Sequence, residues 1–467
     1  MHINPIRLAR WWMMAAVFFV TLQIQAQEVK DTSVFKDTSV VQETQEDEKT
    51  LNEFSIDAKL TTRGEIRYGG FNPDDNDNQA MAHFLMGQYR FSLNYKRGSW
   101  LELKLTPQMA GVWGQKSGLL SLAEAWALLK TKHSLFIKIG RQTLEYDDER
   151  ILGYDDWSMT APTHDALKMG FEGYGHKIHI ILAYNQDPEN ISVGGTYYSG
   201  GIQPYKTMQT LWYHYDTPKS FFGFSLLGMN IGMQNTNPQK PKNYYQQVFG
   251  TYMELRPKYT VLSGAFYYQM GKEEHGIPVR AFMGSAKLKV KPHDMVSVCA
   301  GYDYLSGDRY FAVPPIGMLG AIRRDTIRGF SSLFGSHHDF YGAMDFFYMD
   351  SYVSGFTPGL QNAYAGISVY PVAGLSINAA YHFFAIATNL DKLKKPLGHE
   401  VETSLSYTFA KFVTVAAGYT FMQGTETLLA LQRVSNQRRL HWGWIMLNIN
   451  PTIFTTTWHD KKKRAKS

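Results

Sequence analysis

Hydrophobic and polar positions alternate along most of this chain. In FSIDAKLTTRGEIRY (54–68), one parity carries Phe54, Ile56, Ala58, Leu60, Ile66 and Tyr68. The other carries Asp57, Lys59, Arg63, Glu65 and Arg67. A period of two with one oily and one ionic face predicts a β-strand. Soluble strands usually run about five or six residues. A tilted membrane-crossing strand needs about 9–11, and this segment is long enough. The same alternation recurs at 83–96, 101–108, 177–185 and 400–409.

The links between these runs take turns in size. Short ones are RGS (97–99), TKH (131–133), GYG (173–175), DTPKS (216–220), RPKY (256–259), KPHD (291–294), YPVAG (370–374) and Ala410–Lys411. Between them lie longer polar or glycine-rich links, such as 70–81, 146–163, 187–204, 386–397 and 424–437. Short turns on one rim and long loops on the other are the habit of outer-membrane barrels. Placing HHDFYGAMDFFY (337–348) inside a large loop, 305–359, leaves an even set of about eighteen strands and both termini on the short-turn side, which would face the periplasm. The apolar character of 337–348 predicts that it packs against the barrel wall as a constriction. The fold class expected is therefore all-β: a transmembrane antiparallel β-barrel of about 18 strands, with short periplasmic turns and long extracellular loops.

A barrel of that size encloses water rather than a packed core. Inward positions carry Lys59, Arg63, Arg67, Arg90, Lys104 and Lys138 beside Asp57, Glu65 and Glu102. In a dry core such charges would each cost several kcal/mol; a wet lumen removes that cost. A constriction lined by arginine and lysine favours anions. One stretch breaks the pattern. In SLFIKIGRQTLEY (134–146), Arg141 shares its parity with Leu135, Ile137 and Ile139. Either a bulge at Gly140 reverses the parity, or Arg141 lies at headgroup level.

Composition and the chain ends fit this picture. Tyr and Phe number 29 and 28, and there are 40 glycines, the material of aromatic girdles and turns. A single cysteine, Cys299, excludes an internal disulfide. Arg7 and Arg10 precede WWMMAAVFFVTLQI, which predicts a signal peptide over 1–26 cleaved after Ala26. Residues 27–53 are polar and acidic, with KDTSV repeated, and read as a disordered periplasmic tether. The barrel then spans 54–454, followed by a basic tail at 455–467 that contains KKKRAK. The net charge of +6 is concentrated there, so the chain offers no broad basic face for nucleic acid.

GRQTLEYDDERILGYDDW (140–157) followed by THDALKM (163–169) resembles the strand-and-loop signature of the alginate-export outer-membrane porins. The matching positions are Gly140, Arg141, Gln142, Asp148, Arg150, Gly153, Asp156, Trp157, Asp165 and Ala166. DYLSGD (303–308) and LFGSHHDFYGAMD (333–345) resemble family segments too. The resemblance implies a monomeric eighteen-stranded channel in the cell outer membrane that passes an anionic polysaccharide through an arginine-rich constriction. Its partners would be an alginate-like polymer or another acidic solute, outer-membrane lipid and the barrel assembly machinery. Pore-lining candidates are Lys59, Arg63, Arg67, Arg90, Lys104, Lys138, Arg141, Arg150, Asp165 and Lys168, with Asp165 expected to hold an arginine in place.

Other chemistry is weakly signalled. NPDDNDNQ (72–79) lacks the glycine and distal glutamate of a calcium loop. His337 and His338 have no second cluster at metal-ligand spacing. No cofactor or metal site is expected. Ser404 and His382 on neighbouring strands form a weak candidate for a membrane hydrolase. The stronger alternative is a general diffusion porin.

Overall fold

The computed structural model describes residues 51–69, 81–115, 118–155, 157–160, 162–186, 203–235, 240–308, 325–336, 338–345, 347, 357–390, 393–432 and 439–460. The expected signal peptide and nearly all of the tether lie outside these residues, as do Asp156 and His337.

Each alternating run is a strand. In chain order they are β1 (Leu51–Tyr68), β2 (Ala82–Arg97), β3 (Leu101–Val112), β4 (Leu119–Lys130), β5 (Leu135–Gln142), β6 (His164–Gly173) and β7 (His176–Tyr184). There follow β8 (Thr207–Asp216), β9 (Phe222–Gln234), β10 (Asn243–Leu255), β11 (Thr260–Lys272), β12 (Pro278–His293) and β13 (Val296–Leu305). The last are β14 (Leu360–Val369), β15 (Leu375–Ala385), β16 (Pro396–Ala410), β17 (Val413–Gly424), β18 (Arg439–Ile449) and β19 (Thr452–His459). One short helix, α1 (Glu426–Gln432), lies between β17 and β18.

Successive strands pair antiparallel around the sheet, and β1 closes it. Residues 60–68 of β1 pair with 449–441 of β18, and residues 51–57 pair with 459–452 of β19. β18 and β19 are thus two halves of one strand, interrupted where Pro451 has no N–H to give. Its carbonyl still accepts from the Ala58 N–H at 3.0 Å. The result is a closed eighteen-stranded antiparallel barrel. Two boundaries need correcting. The barrel begins at Leu51 rather than 54, and its final strand runs to His459 rather than giving way to a tail at 455.

Closure satisfies the backbone between strands, and the side chains then divide by parity. Outward positions such as Leu85, Phe91, Leu103, Ile137, Phe249, Phe266, Leu405 and Ile445 are large, apolar and exposed. So long an exposed apolar belt is explained by acyl chains. Inward positions are more mixed than the water-filled lumen expected from the sequence. The described parts of 143–163 and 325–347 fold inside the barrel, joined by a parallel bridge between Leu152 and Phe334. Their Leu144, Ile151, Leu152, Phe334, Tyr341, Met344 and Phe347 pack with wall residues Met208, Ile231, Met283 and Phe384. The 337–348 segment is not a strand where it is described, and Phe347 lies 4.4 Å from the Phe384 ring.

Candidate functional site

The inward face of β1 reads Arg63, Glu65, Arg67 at strand spacing, so the three side chains stand in a row. Glu65 bridges the two arginines, at 2.8 Å to Arg63 and 2.8 Å to Arg67, and accepts from the Trp442 indole at 2.9 Å. Arg63 also donates to the Trp157 carbonyl at 2.8 Å and lies 3.7 Å over its ring. On the other face of Trp157 lies the His338 imidazole, 4.1 Å away and nearly parallel. Trp444 presents itself edge-on at 5.0 Å, and Asp345 holds His338 at 2.9 Å. Beside this clasp, Arg90 bonds Gln108 at 2.8 Å and the Tyr154 hydroxyl, while Gln88 donates to the Met159 carbonyl at 2.6 Å. The β1–β2 wall therefore grips Tyr154, Trp157 and Met159 through side chains that are almost fully buried.

Arg150 ties three segments together. It reaches Asp148 in its own loop at 2.7 Å, Asp303 on β13 at 2.8 Å and the Tyr341 hydroxyl at 3.1 Å, with the Phe340 ring at 4.2 Å. Burial opposes its charge, but Asp303 and the other neighbours outweigh this and hold its pKa well above the ordinary value. Burial pushes the Tyr341 hydroxyl up to about 12. It also raises the carboxyls of Asp147, Glu149 and Asp155. Further round, Glu400 is fully buried and accepts from the Ala343 N–H at 2.7 Å.

The other basic candidates are half-buried. Lys138 on β5 and Lys168 on β6 are direct cross-strand partners. Lys138 rests 3.9 Å over Trp126 and Lys168 5.1 Å over Tyr146. Among the described residues no carboxylate comes within ion-pair reach of either amine. Lys104 is paired with Glu124, and Lys59 is half-buried opposite Arg90. A cavity of about 400 Å³ opens beside Lys168, between Glu172, Lys177, His179, Glu254 and Arg256. A second of about 470 Å³ lies against Lys287, Lys289, Asp339, Tyr364 and His382. Asp147, Tyr252 and Glu254 line both.

Arg141 and Asp165 are not in this lumen, and their expected pore-lining role is corrected. The β5–β6 ladder runs without a register shift through Gly140, so Arg141 stays on the outward parity with Ile137 and Ile139. Asp165 sits directly opposite and holds it through two bonds of 2.9 Å. Gly140 allows the local backbone, with φ +120° and no room for a Cβ against the Ala125 carbonyl. The weak hydrolase candidate separates too. Ser404 accepts from Asn378 at 3.2 Å, whereas His382 faces Asn362 at 2.9 Å and Glu402 at 3.5 Å.

Glu65, Trp442, Asp303, Tyr341 and Glu400 did not stand out as site residues from the sequence. Arg-x-Glu-x-Arg on one strand face was the available sign of the Glu65 bridge. The others join positions far apart in the chain, and no local pattern marks them.

No protein-family model matches the chain, and no curated protein does. Solved structures do resemble it. OccK9 (OpdG) of Pseudomonas aeruginosa superposes with a TM-score of 0.58 at 13% identity, over 85% of this chain and 98% of that one. OccK2 (OpdF) of the same organism gives 0.58 at 12%, over 86% and 98%. A BenF-like porin from Pseudomonas fluorescens Pf-5 gives 0.57 at 11%, over 86% and 99%. At such identities the likeness is one of fold. One of the three is a porin by its title; the expected barrel fold stands, and none of the three lends the alginate-export resemblance support. With its apolar outer belt, a barrel of this fold is embedded in the cell outer membrane.

Proposed function

We propose that this chain is a passive diffusion channel for small hydrophilic solutes, sugars bearing a carboxylate among them, and not a conduit for a polymer. The observation that carries this reading is the pair of inward loops, fastened by Arg63, Arg90 and Arg150, which leave cavities of about 400 and 470 Å³. A polyuronate needs an unobstructed path; a monosaccharide needs only a succession of such spaces. The arginines expected to attract the solute are instead buried fasteners. Lys138 and Lys168 remain as the wall's contact for a carboxylate. One of the similar proteins, OccK2, was solved in complex with glucuronate, which is in keeping with this solute class. The short-turn rim faces the periplasm in this reading.

Liposome swelling with glucuronate, glucose and a polyuronate tests it. Both monosaccharides should enter and the polymer should not. Lys138→Gln with Lys168→Gln should lower glucuronate entry several-fold and leave glucose entry unchanged. Polymer passage, or block of the channel by low polymer concentrations, would sink the small-solute reading.

A further inference from the structure

The outward ends of the strands at the long-loop rim differ around the barrel. Over β5–β6 the polar pair Arg141–Asp165 is self-neutralising. Over β8–β10, Gln209, Asn230 and Gln247 form an amide ladder with bonds of 2.7 Å and 2.7 Å, uncharged and mutually satisfied. Over β15–β18 the rim is basic. Lys394 and Lys395 are exposed in the β15–β16 loop, and Arg439 is exposed at the first position of β18. His399 and His441 share the outward parity of Val401 and Ile445. The two histidines are turned the same way. The Tyr381 hydroxyl meets His399 Nδ1 at 2.6 Å, and the Tyr419 hydroxyl meets His441 Nδ1 at 2.7 Å. Each ring thus has its Nδ1 engaged by a hydroxyl and, among the described residues, no hydrogen-bond partner at Nε2. No described strand carboxylate on this arc points outward: Glu400 and Glu402 face the lumen. Glu426, exposed in the next loop, is the one described carboxylate of the two loops above it. Among the described residues Arg439 has no ion-pair partner.

We propose that this arc binds an anionic membrane lipid through a phosphate on its headgroup. Val401, Leu405, Ile445 and Leu447 continue below it as exposed apolar side chains, so one molecule can lay its acyl chains on the belt while its headgroup meets the basic rim of Lys394, Lys395 and Arg439. Exposed tyrosines at the same level, Tyr381 and Tyr419, suit the boundary between headgroup and hydrocarbon. The inference rests on the outer-membrane placement of the long-loop rim, and not on which solute passes.

The test is native mass spectrometry of the detergent-solubilised barrel with a diphosphoryl disaccharide lipid and with the same lipid dephosphorylated. The parent should retain the phosphorylated form selectively. Each cationic side chain near an anionic headgroup contributes about a factor of five, so Lys394→Gln, Lys395→Gln and Arg439→Gln together should weaken retention about a hundredfold. Arg280→Gln, exposed and outward on β12, should leave it unchanged. Equal retention of the two lipids overturns the proposal, as does undiminished retention by the triple variant. Displacement by inorganic phosphate at matched concentration would overturn it in favour of a free-anion site. Conductance is read on the same samples. A parent that conducts but ignores the phosphate defeats this inference alone, whereas one that neither inserts nor conducts defeats the channel reading.

Discussion

Two walls of one lumen carry the same kind of charge and use it differently. On the β1–β2 side, Arg63 is 3% exposed and bridged to Glu65, with an indole against its face. On the β5–β6 side, Lys138 and Lys168 stand next to each other, half-buried, with no carboxylate among the described residues in ion-pair reach. The difference follows from the side chains and their surroundings. A guanidinium offers several donors in a plane and stacks on aromatics, so it can be desolvated and fully satisfied at once. An ammonium is strongly hydrated, and two side by side repel, so they stay where water reaches them. A basic residue that faces inward is therefore not yet a solute contact. It becomes one only where no loop has claimed it.

The sharpest way to break the comparison is Arg150→Ala. Arg150 is 4% exposed and its removal leaves Asp303 buried without its cation. Losing one partner of a buried pair costs about 3–5 kcal/mol. Denaturant unfolding in lipid should show that loss, and single-channel current should become larger and noisier as both loops loosen. Unchanged current with intact insertion would mean that Arg150 fastens nothing that matters to the path.

A smaller effect is expected at Trp157, where Arg63 and His338 cover the two ring faces. Desolvated cation–π contacts are worth about 2 kcal/mol, so Trp157→Ala should loosen the clasp without unfolding the barrel. Conductance should rise by less than in Arg150→Ala. A rise as large would argue that the β1 clasp, rather than the Arg150 junction, is the main fastener.

These sites show where the sequence was legible. Strands were, because two solvents enforce the alternation: acyl chains on one face, water or loop on the other. The rim was not. In β19 the burial does not alternate, with seven of its eight residues exposed, so no two-faced pattern marks Thr455–His459 as strand. The lumen charges were legible as inward but not as bound. Arg150 meets Asp303 and Tyr341 across 153 and 191 residues of chain, a separation that no local motif encodes. The packing of Tyr341, Met344 and Phe347, in the described part of 337–348, was legible from hydrophobicity alone, because an apolar loop in a barrel must find apolar cover.

Acidity should shift the balance between the walls more gently. Asp147, Glu149 and Asp155 all belong to the inward 143–163 loop, and burial raises each of them. Their ionised forms oppose the packed loop above the raised values. That opposition is relieved as pH falls from neutral towards the ordinary carboxylate range near about 4. The current should therefore be steadier at mildly acidic than at alkaline pH. The reverse trend would show that another group controls the loop.

The smallest effect concerns the pair that faces neither wall. Arg141 and Asp165 share the outward parity, and Arg141 is one residue from the long-loop end of β5. Neutralising both, with Arg141→Gln and Asp165→Asn, should change stability by no more than about 1 kcal/mol, the worth of an accessible pair, and leave conductance alone. The single change Asp165→Asn is more informative, because it leaves a guanidinium without its carboxylate at a fixed depth. Near the bilayer midplane that would cost about 2–4 kcal/mol, and near the interface about 0–1. Denaturant unfolding in vesicles separates the two. The low value is expected from the register, with the headgroups taking over what Asp165 did. The high value would sink Arg141 towards the hydrocarbon centre, and the β15–β18 basic arc would then need its depth measured in the same way.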